Sequence, residues 1–141
     1  MTLKYLLDTN VLSEPLRPDP NPQILERLRQ HEAEIAIASI VWHELLFGAF
    51  RLPSSAKRSA TEAYLNDVIA PTIPILPYDS QAAQWHAAER ARLGNLGQTP
   101  PFADGQIAAI ARVNQLVLIT TNVADFSRFQ GLHVEKWTRE A

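Results

Sequence analysis

The chain alternates short apolar runs with longer helical patterns, and this alternation restricts its possible folds more than any other feature. The runs are apolar at consecutive positions and too short for helices, as expected for strands buried on both faces. Strands that alternate with helices form right-handed crossovers, and therefore a mostly parallel sheet with helices on both faces. We predict a three-layer α/β/α domain with four to five strands, at residues 3–7, 35–38, 73–76, 116–120 and 132–137.

The intervals between these runs carry helix signals. A short helix is expected at 11–16, and Ile24, Leu25 and Leu28 mark a second helix. Ser39 is a suitable N-cap for a helix over 40–52. Further helices are predicted to start at Ser54 or Ser55 and be closed by Pro71 and Pro74, to run from Asp79 or Ser80 to Leu93, and to start at Pro100 and Pro101.

Length and composition limit the class of protein. With 141 residues, 46% of them hydrophobic, we expect a single domain over residues 1–141. The chain has no cysteine, which excludes disulfide frameworks, zinc ribbons and iron–sulfur clusters and agrees with a cytoplasmic location. The net charge of -2 excludes a global cationic field, so nucleic-acid binding would need a local site. The apolar stretch 35–50 contains polar residues and is shorter than the roughly 20 residues that span a bilayer, so we predict no membrane segment.

Acidic residues follow the predicted strands at the positions where parallel sheets bind ligands, outside the carboxyl ends of the strands. Asp8 ends the first strand, and Glu44 lies just over one turn into the helix after the second. Asp104 lies in the first turn of the helix before the fourth strand, and Asn122 and Asp125 follow that strand. We expect all five to reach one edge of the sheet.

Most of these acids also have a structural interpretation. Asp8 suits a helix N-cap, Asp104 gains from a helix dipole, and Asp125 suits a turn. Glu44 is different, because its helix is apolar nearly all round and an unpaired buried charge costs several kcal/mol. No lysine or arginine stands near it in sequence, so its partner is either a cation brought by the fold or a metal ion.

A metal ion would explain the whole set of acids. Two carboxylates ~4 Å apart repel by about 4 kcal/mol at an effective dielectric near 20. Oxygen ligands without cysteine or a histidine pair select Mg²⁺ or Mn²⁺, which proteins use mainly against phosphates. The residues therefore predict a metal-dependent phosphodiesterase. Candidates for positioning substrate or water are Thr9, Asn10, Ser39 and Thr120, and candidate cations around the cleft are Arg17, Arg51, Arg90 and Arg92.

Several segments resemble the PIN-domain ribonucleases, and among them the VapC-type toxins of bacterial toxin–antitoxin pairs. Residues 6–14 (LLDTNVLSE) resemble the opening strand with its acid, and 15–18 (PLRP) resemble the FitB-like subgroup. The other matching segments are 40–45 (IVWHEL), 102–109 (FADGQIAA), 120–126 (TTNVADF) and 131–137 (GLHVEKW). The fourth acidic position departs from the pattern, because some members carry an acid where this chain has Asn122, and others use the acid before phenylalanine, here Asp125.

The resemblance implies a Mg²⁺-dependent single-strand endoribonuclease, with Mn²⁺ as the other possible ion. It implies Asp8, Glu44, Asp104 and Asp125 as catalytic residues and metal ligands, with Asn122 as a further ligand. It also implies a homodimer inhibited by a small antitoxin whose tail enters the acidic cleft and whose DNA-binding domain is the only link to DNA. The apolar residues Trp42, Phe47, Phe50 and Tyr64 independently favour a dimer.

Two other functions fit parts of the sequence. A catalytically silent module could pair with an antitoxin and act on DNA through the complex, although the three strongest acids are all present. An aspartyl-phosphate phosphatase of the haloacid-dehalogenase type would also have an acid after the first strand. That family needs a second acid two positions later, where this chain has Asn10.

Overall fold

Five short strands form one parallel sheet in the computed structural model, which describes residues 2–138. The strands are β1 (Tyr5–Leu7), β2 (Ile35–Ala38), β3 (Ile75–Leu76), β4 (Val117–Ile119) and β5 (Val134–Glu135). Their spatial order is β3-β2-β1-β4-β5, so β1 lies in the centre. Tyr5 pairs with Ile35 on one side and with Val117 on the other. The predicted α/β architecture, with a mostly parallel sheet of four to five strands, is confirmed.

Helices cover both faces of this sheet. In chain order they are α1 (Thr9–Leu12), α2 (Pro22–Gln30), α3 (Ser39–Phe50), α4 (Ala56–Ala63), α5 (Ala70–Thr72), α6 (Ser80–Asn95), α7 (Phe102–Val113) and α8 (Val123–Phe126). A 3-10 turn over Glu14–Leu16 follows α1, and a π-helix over Tyr64–Ile69 joins α4 to α5. None of the helices in residues 2–138 combines the length and apolar character that crossing a membrane requires.

The centre of the sheet is the core of the domain. Leu6, Leu7, Leu118 and Ile119 on the two central strands are fully buried. Helix α7 adds a run of small and branched apolar residues, all buried, over 107–111. Because β1 is buried on both sides, the residue that follows it is held at a fixed place at the sheet edge.

The prediction that Ser39 caps α3 is wrong. Strand β2 runs into α3 without a connecting residue, so Ala38 occupies the cap position with an extended backbone. Alanine has no side-chain acceptor, and Ser39 is already the first helical residue. By contrast, Ser55 and Asp79 accept hydrogen bonds from backbone N–H groups as N-caps of α4 and α6.

Other helix boundaries also differ from the sequence prediction. The segment 11–16 splits into α1 and a 3-10 turn that contains Pro15. The helical path continues past Pro71, which lies in the first turn of α5, where proline needs no N–H partner. Ile73 donates its N–H to the Ile69 carbonyl and so finishes a helical turn, which shortens β3.

Candidate active site

Asp8 is the innermost acid and follows β1 directly. Its backbone N–H donates to the Ile119 carbonyl of β4, which continues the sheet pairing by one residue. Oδ1 accepts the N–H of Thr9 at 2.8 Å, and Oδ2 accepts the Thr120 hydroxyl at 2.8 Å. The residue is only 8% exposed. Both oxygens are therefore held, and the carboxylate has a fixed orientation.

Glu44 lies on α3 and is tied to the same edge by a hydroxyl group. The Thr9 hydroxyl donates to Glu44 Oε2 at 2.6 Å, while the Thr9 backbone N–H serves Asp8. One threonine thus orients two acids from adjacent elements. The partner that Glu44 needs is a neutral hydroxyl, because none of the ion pairs formed within residues 2–138 includes Glu44.

The four acids act on each other electrostatically. Burial, the largest cause, and the charges of Asp8, Asp125 and Glu44, in that order, together raise the pKa of Asp104 to about 6. Burial also raises the pKa of Asp8, against the hydrogen bonds from Thr120 and Thr9, and Glu44 and Asp125 add to the rise. Asp8, Glu44, Asp104 and Asp125 therefore interact through their charges, as expected if they share the carboxyl edge of the sheet.

A second set of polar contacts supports this group. The Asn10 amide Nδ2 donates to the Thr121 hydroxyl at 2.7 Å. Asn10 Oδ1 is buried and accepts no hydrogen bond within the described part of the chain. Thr120 is fully buried, and its hydroxyl accepts the Asn122 backbone N–H at 3.0 Å while donating to Asp8. Three of the four predicted positioning residues therefore lie in this network.

The other candidates are placed differently. Ser39 takes no part in the network. Asn122 is exposed and joins it only through its backbone N–H. Arg92 is committed to Glu89, and Arg51 and Arg90 lie over the rings of Phe47 and Phe102. Arg17 lies 3.6 Å from Glu14.

The donor set fits a hard divalent cation. It consists of carboxylate oxygens, and in residues 2–138 no lysine, arginine or histidine forms an ion pair with any of the four acids. Across the same residues, no three acidic or histidine side chains are arranged to hold an ion together. The acids are thus close enough to repel each other but are not arranged as a preformed metal site. The argument for a metal ion therefore depends on the chemical type of the ligand atoms more than on their geometry.

A cavity of about 360 Å³ with a mixed polar and apolar lining adjoins the acidic group, and we call it the flanking pocket. Asp104 and Asp125 form part of its lining. Its other side is formed by Gln98, Thr99, Pro101, Arg128 and Phe129. None of these five residues was predicted from the sequence to belong to the site. The one sequence signal that could have joined them to the acids is the short separation of Asp125 and Arg128, three residues apart in the chain.

Comparisons with known proteins agree with this arrangement. The chain matches the PIN domain over residues 5–132. It is 30% identical to a Shigella flexneri protein named tRNA(fMet)-specific endonuclease VapC, with 96% of this chain and 99% of that protein aligned. It is 35% identical to Toxin FitB of Neisseria gonorrhoeae, with coverage of 86% and 89%.

The same likeness extends to solved structures. A structure described as FitAB bound to an IR36 DNA fragment contains a chain that superposes with a TM-score of 0.88 at 30% identity. The alignment covers 97% of this chain and 98% of the other. The similarity therefore includes every element that carries one of the four acids.

Proposed function

The chain belongs to the PIN-domain family, and from this premise we propose that it is a metal-dependent endoribonuclease that acts as the toxin of a toxin–antitoxin pair. PIN-domain nucleases generally depend on a divalent metal ion. The observation that supports the proposal most strongly is the group of four carboxylates at one sheet edge, with Asp8 buried and no cation of residues 2–138 in an ion pair with any of them.

Asp8, Glu44, Asp104 and Asp125 would hold Mg²⁺, or Mn²⁺ in its place, with Asn122 as a further ligand. When bound, such an ion polarises the phosphoryl group and lowers the pKa of water. In the reaction, a water oxygen forms a bond to phosphorus while the bond to the leaving ribose oxygen breaks. The carboxylate group takes the proton from water, and the leaving oxygen gains a proton, which gives a phosphomonoester and a free hydroxyl.

The hydroxyl and amide groups would keep these acids in place during the reaction. Thr120 and the Thr9 backbone N–H fix both oxygens of Asp8, and the Thr9 hydroxyl fixes Glu44. Asn10 is held by Thr121 through its amide nitrogen, and this contact fixes the orientation of its side chain. This preorganisation lowers the cost of bringing like charges together around the phosphate.

An assay on single-stranded RNA tests the proposed activity. The purified full chain is expected to cut RNA internally with Mg²⁺ or Mn²⁺ and to lose this activity in EDTA. A generic phosphomonoester substrate run beside it should stay intact. Hydrolysis of that monoester without RNA cleavage would favour the aspartyl-phosphate mechanism, and no hydrolysis of either substrate would favour a silent binding module.

We also propose that an antitoxin with a DNA-binding domain binds this chain and supplies an arginine to the acidic group. An arginine can pair with carboxylates in a bidentate manner and would compete with the metal ion for them. Titrating Mg²⁺ with and without a synthetic antitoxin tail tests this, because competition lowers the apparent metal affinity. Inhibition at unchanged metal affinity would instead indicate that the tail blocks the RNA path.

The proposed homodimer depends on the surface of α3. Phe47 and Phe50 are 56% and 58% exposed. Trp42 is half-buried, and Tyr64 belongs to the interior contacts of the chain because its hydroxyl donates to the Leu12 carbonyl at 2.8 Å. We expect light scattering to report about twice the chain mass of 15.8 kDa. A monomer at every working concentration would contradict the dimer.

A further inference from the structure

The flanking pocket opens directly beside the acidic group. Asp104 and Asp125 belong to both the pocket and the acidic group. A nucleic-acid strand with one phosphate at the acids would therefore have its neighbouring nucleotide beside the pocket. The volume of about 360 Å³ lies within the range of small-ligand pockets, roughly 300–1,000 Å³. Its lining combines an amide, a hydroxyl and a guanidinium with apolar surface from Pro101 and Phe129.

One wall of the pocket is set by the way α6 ends. The Gly97 N–H donates to the Gly94 carbonyl and the Gln98 N–H donates to the Leu93 carbonyl, a Schellman-type ending. Gly97 has a φ of +70°, which glycine adopts without steric cost. This reversal directs Gln98 and Thr99 toward the start of α7, and hence toward Asp104.

A partly buried ion pair fixes the backbone at Arg128 and Phe129, which also line the pocket. Glu89 and Arg92 on α6 are joined by two hydrogen bonds, of 2.7 and 2.9 Å. Arg92 also donates to the Arg128 carbonyl at 2.9 Å, and Glu89 accepts the Gln130 N–H at 2.7 Å. The pair therefore forms hydrogen bonds to the backbone on both sides of Phe129, which is buried. The position of Arg128 at the pocket follows from these contacts.

The charge of Arg128 is not used within the fold. None of the described carboxylates forms an ion pair with it, and its side chain is exposed. Among the described residues that line the flanking pocket it is the one cation, and the two other charged residues, Asp104 and Asp125, are acids. These acids repel an anionic group placed against them, so an anion in the pocket is expected at Arg128. A nucleotide can place its phosphate on Arg128 and its uncharged base or ribose toward the remaining wall.

We propose that the flanking pocket is a subsite for the ribonucleotide adjacent to the scissile phosphate, with Arg128 bound to a neighbouring phosphate. Gln98 and Thr99 provide the groups that contact the base or ribose. This inference rests on the proposed ribonuclease function, because it describes how the same site takes its substrate. Single-stranded RNA is suited to such a pocket because its bases are free to turn out of a stack.

The test compares Arg128→Gln with Arg27→Gln, a control that removes the same charge. Arg128 is exposed in the loop after α8, and Arg27 is exposed on α2. Cleavage of a short single-stranded RNA is measured over a series of salt concentrations, and RNA binding is followed by fluorescence anisotropy. Arg128→Gln is expected to raise KM about tenfold with kcat within about twofold, as for loss of a charged hydrogen bond. The slope of log(kcat/KM) against log[salt] should become shallower by about 0.7. Arg27→Gln should leave these values unchanged.

Two further variants sharpen the result. Arg128→Lys should restore the salt slope but only part of the KM, since lysine keeps the charge and loses the planar donor pair. Gln98→Leu should alter base preference at one position beside the cut. Equal KM and salt slope for Arg128→Gln and Arg27→Gln would overturn the subsite, as would a fall in kcat alone.

Other outcomes separate the subsite from the proposed function. If the wild-type chain binds RNA without cutting it and Arg128→Gln weakens that binding, the subsite stands and the nuclease function fails. If RNA is cut equally well by Arg128→Gln while inhibition by an antitoxin peptide weakens, Arg128 contacts protein and the subsite is overturned.

Discussion

Asp8 and Glu89 are carboxylates of nearly equal exposure, 8% and 7%, but their surroundings differ. Glu89 is paired with Arg92 and accepts a backbone N–H, and these hydrogen bonds lower its pKa. Asp8 has hydroxyl and N–H donors but no cationic partner among residues 2–138, and burial raises its pKa. The same fold thus neutralises one buried acid internally and leaves the other to be neutralised from outside.

This difference separates a structural acid from a ligand-binding acid. At α6 a cation three residues along the helix compensates the charge, which fixes the loop after α8. At the carboxyl edge of the sheet, four acids share one region and raise the energy of the metal-free protein. Stability is lower there than a paired arrangement would give, which is typical of functional sites.

The largest expected effect comes from removing one acid of the edge. Asp104→Asn should lower RNA cleavage by roughly a thousandfold, about 4 kcal/mol of activation free energy, since an amide is a weak metal ligand. Asp8→Asn should behave alike. Asp67→Asn, an exposed residue of the π-helix, removes the same charge and should cleave at the wild-type rate. Wild-type activity of both edge variants would show that these acids do not act in the reaction.

Removing the charge of Glu89, which is paired with Arg92, should lower stability and not activity. Glu89→Gln leaves the Arg92 charge partly buried and should lower the free energy of unfolding by about 2 kcal/mol, below the full value for a deeply buried pair because Arg92 is partly exposed. Glu62→Gln removes the partner of Arg58 at a more exposed site, with an expected loss of under about 1 kcal/mol. Urea unfolding measures both. Equal losses would mean that burial does not distinguish the two pairs.

Adding the external cation should stabilise only the acidic edge. At Mg²⁺ tenfold above its dissociation constant, the folded chain gains about 1.4 kcal/mol, which raises Tm by roughly 4 °C. Asp104→Asn should lose most of this rise, while Glu89→Gln should keep it from its lower starting Tm. Differential scanning fluorimetry in Mg²⁺ and in EDTA gives the comparison. A similar rise in both variants would place the ion elsewhere.

The smallest effect is a difference in the sign of the pH dependence. The raised pKa of Asp104, about 6, means that the folded state holds its proton more tightly than the unfolded state. The favourable contribution of Asp104 to the free energy of unfolding is complete below pH 3.8 and is lost as pH rises through about 6. The loss is on the order of 1 kcal/mol once the partial exposure of the carboxyl group is allowed for. The lowered pKa of Glu89 gives a contribution present above pH 4.5 that is lost as pH falls below it.

Urea unfolding in EDTA between pH 3.5 and 7 checks these signs. The stability of Asp104→Asn relative to the wild type should increase with pH, and the deficit of Glu89→Gln should shrink toward acid pH. Parallel pH profiles for the two variants would contradict the distinction between the two acids.

The sequence predicted what depends on periodicity and on strand ends. The strand at 35–38 and the positions of Asp8, Glu44 and Asp104 follow from local pattern and from the edge rule for parallel sheets. The Ser39 cap was wrong because a strand and a helix compete for the same junction residue. The flanking pocket could not be foreseen, since Arg128 reaches it through contacts with Arg92, 36 positions earlier in the chain.

The central position of β1 also has a consequence for synthesis. Asp8 is bound by Thr120, 112 positions later, and β1 pairs with β4, so early translation products lack both contacts. A chain released by the ribosome before residue 117 carries Asp8, Glu44 and Asp104 but has no strand to hold Asp8 at the edge. Because chains emerge from their N-terminus, the site is completed only after β4 has been synthesised. Truncated products are therefore expected to be harmless to cellular RNA.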